Sequence, residues 1–121
     1  MTSISSTSDT DNVRRYYDRH TASFLSYGQG GTQGCIHRAV WGPAVKSREQ
    51  AFHYVENIIA ATLITHSMTT EATHIIDLGC GIGASLCHIA RKFPIHGTGV
   101  TLSPVQSRIA SNRIHAASLD Q

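Results

Sequence analysis

Charged residues are scarce in this chain, and so are cysteine, proline and tryptophan. Only 15% of its 121 residues are charged, against 40% hydrophobic, and the formal net charge is +2. That balance describes a globular chain and excludes both a disordered polyelectrolyte and a basic nucleic-acid binder. Three cysteines, Cys35, Cys80 and Cys87, make an odd number without paired spacing, so neither a disulfide framework nor a structural zinc site is expected. A reducing cytoplasm is the expected compartment. The eight histidines are scattered and form no metal-spaced pair, so no metal is expected. The longest apolar stretch, around Ile58 to Ile64, is broken by threonine and too short to cross a bilayer. The opening ten residues lack the basic start and apolar core of a secretory signal. Acid is missing where it matters most: between Asp77 and Asp120 there is no Asp or Glu.

The stretch His74 to Gly83 reads as a buried strand that ends in an acid and enters a glycine turn opening a helix. Ile75, Ile76 and Leu78 are the apolar run of a parallel strand covered on both faces, and Ala84 to Phe93 continues with helical spacing. Gly79-x-Gly81-x-x-Ala84 satisfies a loose dinucleotide fingerprint, which also requires an acid roughly 20 residues on to hold a ribose. The acid-free stretch removes it, because the second strand candidate, Gly97 to Leu102, closes on Thr101-Leu102-Ser103. Here the acid precedes the glycines, as Asp77-x-Gly79-x-Gly81-x-Gly83. An NADP-binding domain of an oxidoreductase, with Arg108 meeting a 2′-phosphate, stands as an alternative.

Around this turn the pattern predicts helices. Residues 1–11 read as a disordered tail, and a first amphipathic helix runs from about Asn12 to Leu25. Four glycines between Tyr27 and Gly34 predict a loop. Cys35 to Val45 is expected to be a short irregular segment or helical turn. Ser47-Arg48-Glu49-Gln50 is a capping-box pattern that opens a helix from Arg48 to about Thr65. The stripe Ala51, Phe52, Val55, Ile58, Ile59 and Leu63 is expected to pack that helix against a sheet. Ser103 as cap and Pro104 in the first turn start a last helix reaching about Leu119. Arg91, Lys92, Arg108 and Arg113 are read as solvated helix faces.

Asp77-Leu78-Gly79-Cys80-Gly81-Ile82-Gly83, followed by Gly99-Val100-Thr101-Leu102-Ser103-Pro104-Val105-Gln106, resembles the first two motifs of class I S-adenosylmethionine-dependent methyltransferases. The Thr-Leu-Ser-x-x-Gln ending resembles the branch with cyclopropane-fatty-acid synthases and tocopherol, sterol and terpenoid C-methyltransferases. Tyr17-Asp18 resembles the Tyr-Asp of that branch's N-terminal helix. The resemblance implies an α/β, incomplete Rossmann-like fold: an N-terminal helical cap region over residues 12–66, then the first two parallel strands and their helices over 74–121. It implies S-adenosyl-L-methionine as cofactor, with Asp77 toward the ammonium, Gly79, Cys80 and Gly81 around the amino-acid tail, Thr101, Leu102 and Gln106 on the ribose side, and Tyr17 near the sulfonium or substrate.

Cys35 lies near the place where cyclopropane synthases keep a cysteine, but its neighbours do not match, and it is read as a small buried hydrophobe. The implied reaction is methyl transfer to a small, lipophilic molecule, with carbon among the acceptor atoms. The family's later loops have no counterpart before Gln121, so the chain is read as the truncated N-terminal part of an enzyme, inactive alone, with its catalytic residues unknown. A truncated, noncatalytic chain that self-associates, or pairs with a missing C-terminal part, is the other alternative.

Overall fold

The computed structural model describes residues 6–27, 34, 36–66 and 73–120. In chain order the elements are α1 (Ser6–Tyr27), α2 (Arg48–His66), β1 (Thr73–Leu78), α3 (Ala84–Lys92), β2 (Ile95–Val100) and α4 (Pro104–Ala116). β1 and β2 pair in parallel with Thr73 opposite Ile95 and Leu78 opposite Val100, so α3 is the crossover of a β-α-β unit. The mixed helices and small parallel sheet are the partial Rossmann-like arrangement expected.

Helix α1 begins at Ser6, not Asn12, so residues 6–11 are helical where a disordered tail was expected. Acids in the early turns favour the helix dipole, and Arg14 bridges Asp11 and Asp18 one turn to either side, at 3.6 and 3.4 Å. Residues 28–33, most of the expected glycine loop, lie outside the described residues, as do Cys35 and residues 67–72.

Helix α2 opens as its sequence predicts, with Gln50 N–H donating to Ser47 Oγ at 3.1 Å. The return bond is displaced by one residue: Lys46 N–H donates to Gln50 Oε1 at 2.7 Å. The expected packing stripe is corrected. Buried positions are Ala51, Phe52, Glu56 and Ala60, while Val55, Ile58 and Ile59 stay exposed, and the helix packs mainly on α3. Apolar residues surround α2 on most sides, so periodicity could not choose the face. A carboxylate with partners on α3 did.

The strand reading is corrected in the same way. Along β1, Thr73, Ile75 and Asp77 are partly covered, whereas Ile76 is 64% and Leu78 81% exposed, so only one face of the sheet is covered among the described residues. β2 spans Ile95–Val100, two residues earlier than expected at each end. Helix α3 lies over it, bringing Leu86 against Gly97 and Gly99. α4 begins as predicted, with Gln106 N–H donating to Ser103 Oγ at 3.1 Å and Pro104 in the first turn, but ends at Ala116.

Candidate cofactor site at the strand ends

The turn after β1 is built by three left-handed glycines: φ is +89° at Gly79, +56° at Gly81 and +71° at Gly83. An L side chain is strained in that region by about 1–2 kcal/mol per residue. A Cβ on Gly79 or Gly81 would meet no atom within 4 Å, so both positions open onto free space. Gly79 and Cys80 N–H groups donate to Val100 O at 2.8 and 3.0 Å, which ties the turn to the end of β2. Gly83 is the N-cap of α3 and supplies no side-chain bond, so the first-turn N–H groups have no side-chain acceptor from the cap.

Tyr17, Asp77, Gly79, Cys80, Gly81, Thr101, Leu102 and Gln106, the eight residues singled out from the sequence, all border one cavity of about 430 Å³. Ile36, His37, Ile82 and Ser85 border it too. The structure therefore brings together residues from α1, the 36–38 segment, the glycine turn and the β2–α4 junction. Burial pushes the Cys80 thiol up, and the neighbouring Asp77 carboxylate adds to the shift.

The β2–α4 wall is held by a directed chain of hydrogen bonds. Ser103 N–H donates to Thr101 Oγ1 at 3.3 Å, and Thr101 donates to Gln106 Oε1 at 2.8 Å. Gln106 Nε2 then donates to Thr21 Oγ1 at 3.2 Å, and Thr21 donates to Tyr17 O at 2.7 Å. Gln106 is only 4% exposed. These bonds leave its amide one N–H and one lone pair for a further partner. Alongside, the Asp18 carboxylate of α1 accepts from Ser103 Oγ and from Val105 N–H, capping α4 from another helix. Thr21 and Asp18 were not assigned to this wall from the sequence; Asp18 carried a signal in the Tyr17-Asp18 pair, and Thr21 only its spacing of three from Asp18 on α1.

A second polar centre lies behind the cavity. Glu56 of α2 is 4% exposed and receives hydrogen bonds from His53 Nδ1, from Ser85 Oγ of α3 and, at 3.2 Å, from His37 Nε2. Burial by itself raises a carboxyl, but these donors outweigh it and hold Glu56 below the usual carboxylate range. His88 donates to Asn57 Oδ1 at 2.9 Å and stacks flat on His53, with centroids 3.7 Å apart. Burial first, then the neighbouring His53, pushes His88 down to about 4. Ligand atoms of His53, Glu56 and His88 lie within 4.8 Å of one another. Parallel stacked rings hold their in-plane lone pairs in separate planes, so the two imidazoles as placed do not converge on one ion. The grouping of these scattered histidines was not anticipated.

No family model matches the chain. Tocopherol O-methyltransferase of Arabidopsis thaliana is 47% identical over 45 residues, covering 37% of this chain and 13% of the relative. The backbone matches the crystal structure of the [4+2]-cyclase SpnF with a TM-score of 0.73 and 28% identity, over 92% of this chain and 39% of SpnF. It also matches geranyl diphosphate C-methyltransferase of Streptomyces coelicolor A3(2), solved with Mg2+, geranyl diphosphate and S-adenosyl-L-homocysteine. There the TM-score is 0.52 and the identity 23%, over 92% of this chain and 43% of that one, a likeness of fold. The chain spans well under half the length of each of these relatives. Sequence and backbone together identify it as carrying part of the class I S-adenosylmethionine-dependent methyltransferase fold.

Proposed function

We propose that this chain forms the cofactor-binding part of an S-adenosylmethionine-dependent methyltransferase acting on a small, lipophilic molecule. The carrying observation is the convergence of Asp77, the open glycine turn and the Thr101–Gln106 wall on one cavity at the strand ends, on a backbone that superposes on SpnF over 92% of its length.

The residues present suit the cofactor. Asp77 offers a carboxylate to an ammonium. Gly79 and Gly81 leave the cradle open, since a Cβ at either would point into empty space. The uncapped first turn of α3 presents N–H donors and the positive end of the helix dipole to a carboxylate. Gln106 and Thr101 line the ribose side, where the spare N–H and lone pair of Gln106 suit a hydroxyl, and Cys80 contributes backbone. Tyr17 faces the same space from α1. The bound cofactor supplies an electrophilic methyl carbon, which an acceptor displaces in line. The protein's part is to hold the two aligned and dry, the main source of acceleration in such a displacement. Apolar Ile36, Ile82 and Leu102 on the cavity wall suit a lipophilic acceptor.

We further propose a reducing, cytoplasmic setting, which Cys80 and Cys87 suit as free thiols. No helix among the described residues is long and apolar enough to cross a membrane. The exposed face bearing Ile76, Leu78 and Val100 is where a further part of the fold, or a second copy, would pack.

Calorimetric titration tests the proposal. Heat on adding S-adenosylhomocysteine, with none on adding NADPH, is expected. Heat with NADPH alone would replace it with the dinucleotide reading.

A further inference from the structure

Glu56 does not border the cavity, yet two of the side chains it holds do. His37 belongs to the segment between α1 and α2, and Ser85 to the first turn of α3, and both line the cavity wall. Their partner is one oxygen, Oε1, of a carboxylate 4% exposed and reaching from α2. The other oxygen takes His53 Nδ1 from the same helix. His37 turns its second ring nitrogen to Arg38 O at 3.2 Å. A neutral imidazole has one N–H, so the tautomer that donates to Glu56 makes that bond the one holding the ring.

A buried carboxylate is costly to desolvate and is a weak source of net stability. Replaced by a leucine, this position would extend the apolar contacts of Phe52 and Ala60. Three donors from three separate segments, 3, 19 and 29 residues away in sequence, converge instead. Such an arrangement sets geometry: charge-assisted bonds are short and directional, and they fix two cavity walls relative to a helix that stands outside the cavity.

We propose that Glu56 is a positioning residue of the candidate cofactor site, a buried anionic clamp that sets the distance between the His37 segment and the opening turn of α3. It acts only through His37 and Ser85. The inference rests on the cofactor reading for its functional consequence and on the hydrogen-bond geometry alone for the clamp.

Site-resolved amide hydrogen exchange on the whole chain, comparing wild type with Glu56→Leu, Glu56→Gln, Ser85→Ala and His37→Ala, tests it. Losing the clamp is expected to speed exchange across residues 36–46 and 84–88 by about tenfold, the scale of one lost hydrogen bond, while β1 and α4 are unchanged. Glu56→Gln keeps an oxygen for Ser85 and His37 and, with His53 in its other tautomer, is expected to restore most of the protection. If Glu56→Leu does not fold, Ser85→Ala and His37→Ala each release one arm and are expected to raise exchange on that arm only. Three results overturn the clamp: exchange rising equally in β1 and α4, no local rise in any variant, or wild type binding one Zn2+ per chain through His53 and Glu56. Affinity for S-adenosylhomocysteine is read in parallel and is expected to fall about tenfold in Glu56→Leu, or in Ser85→Ala, with rescue in Glu56→Gln. Wild type failing to bind that nucleoside would remove the cofactor reading and leave the exchange result standing.

Discussion

Acidification from pH 7 to 4.5 is predicted to weaken the fold through His88, and the size of the loss follows from where its ring sits. The side chain is 11% exposed, stacked on His53 and close to Glu56 of α2, with Arg91 and Lys92 on its own helix. Burial and His53 dominate and push it down to about 4 from an ordinary 6.5. Between those values the unfolded chain carries a proton that the folded chain refuses. Stability therefore rises with pH across this window, is full above about 7, and is lost as pH falls from 6.5 toward 4. The full linkage is about 3 kcal/mol, and screening by the solvent that reaches the ring reduces the expected loss to about 1–2 kcal/mol. Glu56 does not contribute here: its folded value is depressed, so its share is lost only on going below the ordinary carboxylate range. Urea unfolding at half-unit pH steps measures the effect, with His88→Gln as control. The wild-type midpoint is expected to fall toward pH 4.5 while His88→Gln removes most of that slope. Parallel curves for the two proteins would refute the reasoning.

Other outcomes follow from the same contacts. Gly83→Ala is expected to cost about 1–2 kcal/mol for a left-handed backbone, with a further loss because its Cβ would sit 3.2 Å from Ala110 Cβ; a thermal melt reads both. Gly81→Ala carries the same backbone cost without the contact, so its melt should fall less. Asp18→Ala removes the cap that α1 gives to α4 and is expected to cost about 1–2 kcal/mol in urea, with lost protection confined to the first turn of α4 and its α1 contact by hydrogen exchange. Asp77→Ala is expected to abolish the calorimetric signal with S-adenosylhomocysteine while leaving the melting temperature within a few degrees.

The parts of this molecule that are local in sequence were legible in it. A glycine turn after an apolar run, a Ser-x-x-Gln box and a Ser-Pro helix start each declare themselves within four residues, and each stands where the pattern put it. Faces were not legible. Ile76 and Leu78 read as buried on both sides, but which side of a strand is covered depends on elements elsewhere in space. Likewise nothing local marks Glu56 as buried, because its partners Ser85 and His37 are 29 and 19 residues distant. The eight site residues read from the motifs converge on one cavity, while Thr21 and Glu56, which help hold its walls, carry no motif at all.

The crystal structure of the chain grown with S-adenosylhomocysteine tests the central claim most directly. The account predicts the nucleoside's amino-acid tail against the Gly79–Gly81 turn with its ammonium toward Asp77, and its ribose beside Thr101 and Gln106. An empty cavity under saturating nucleoside, or a pyrophosphate of a dinucleotide lying on the glycine turn, would contradict it.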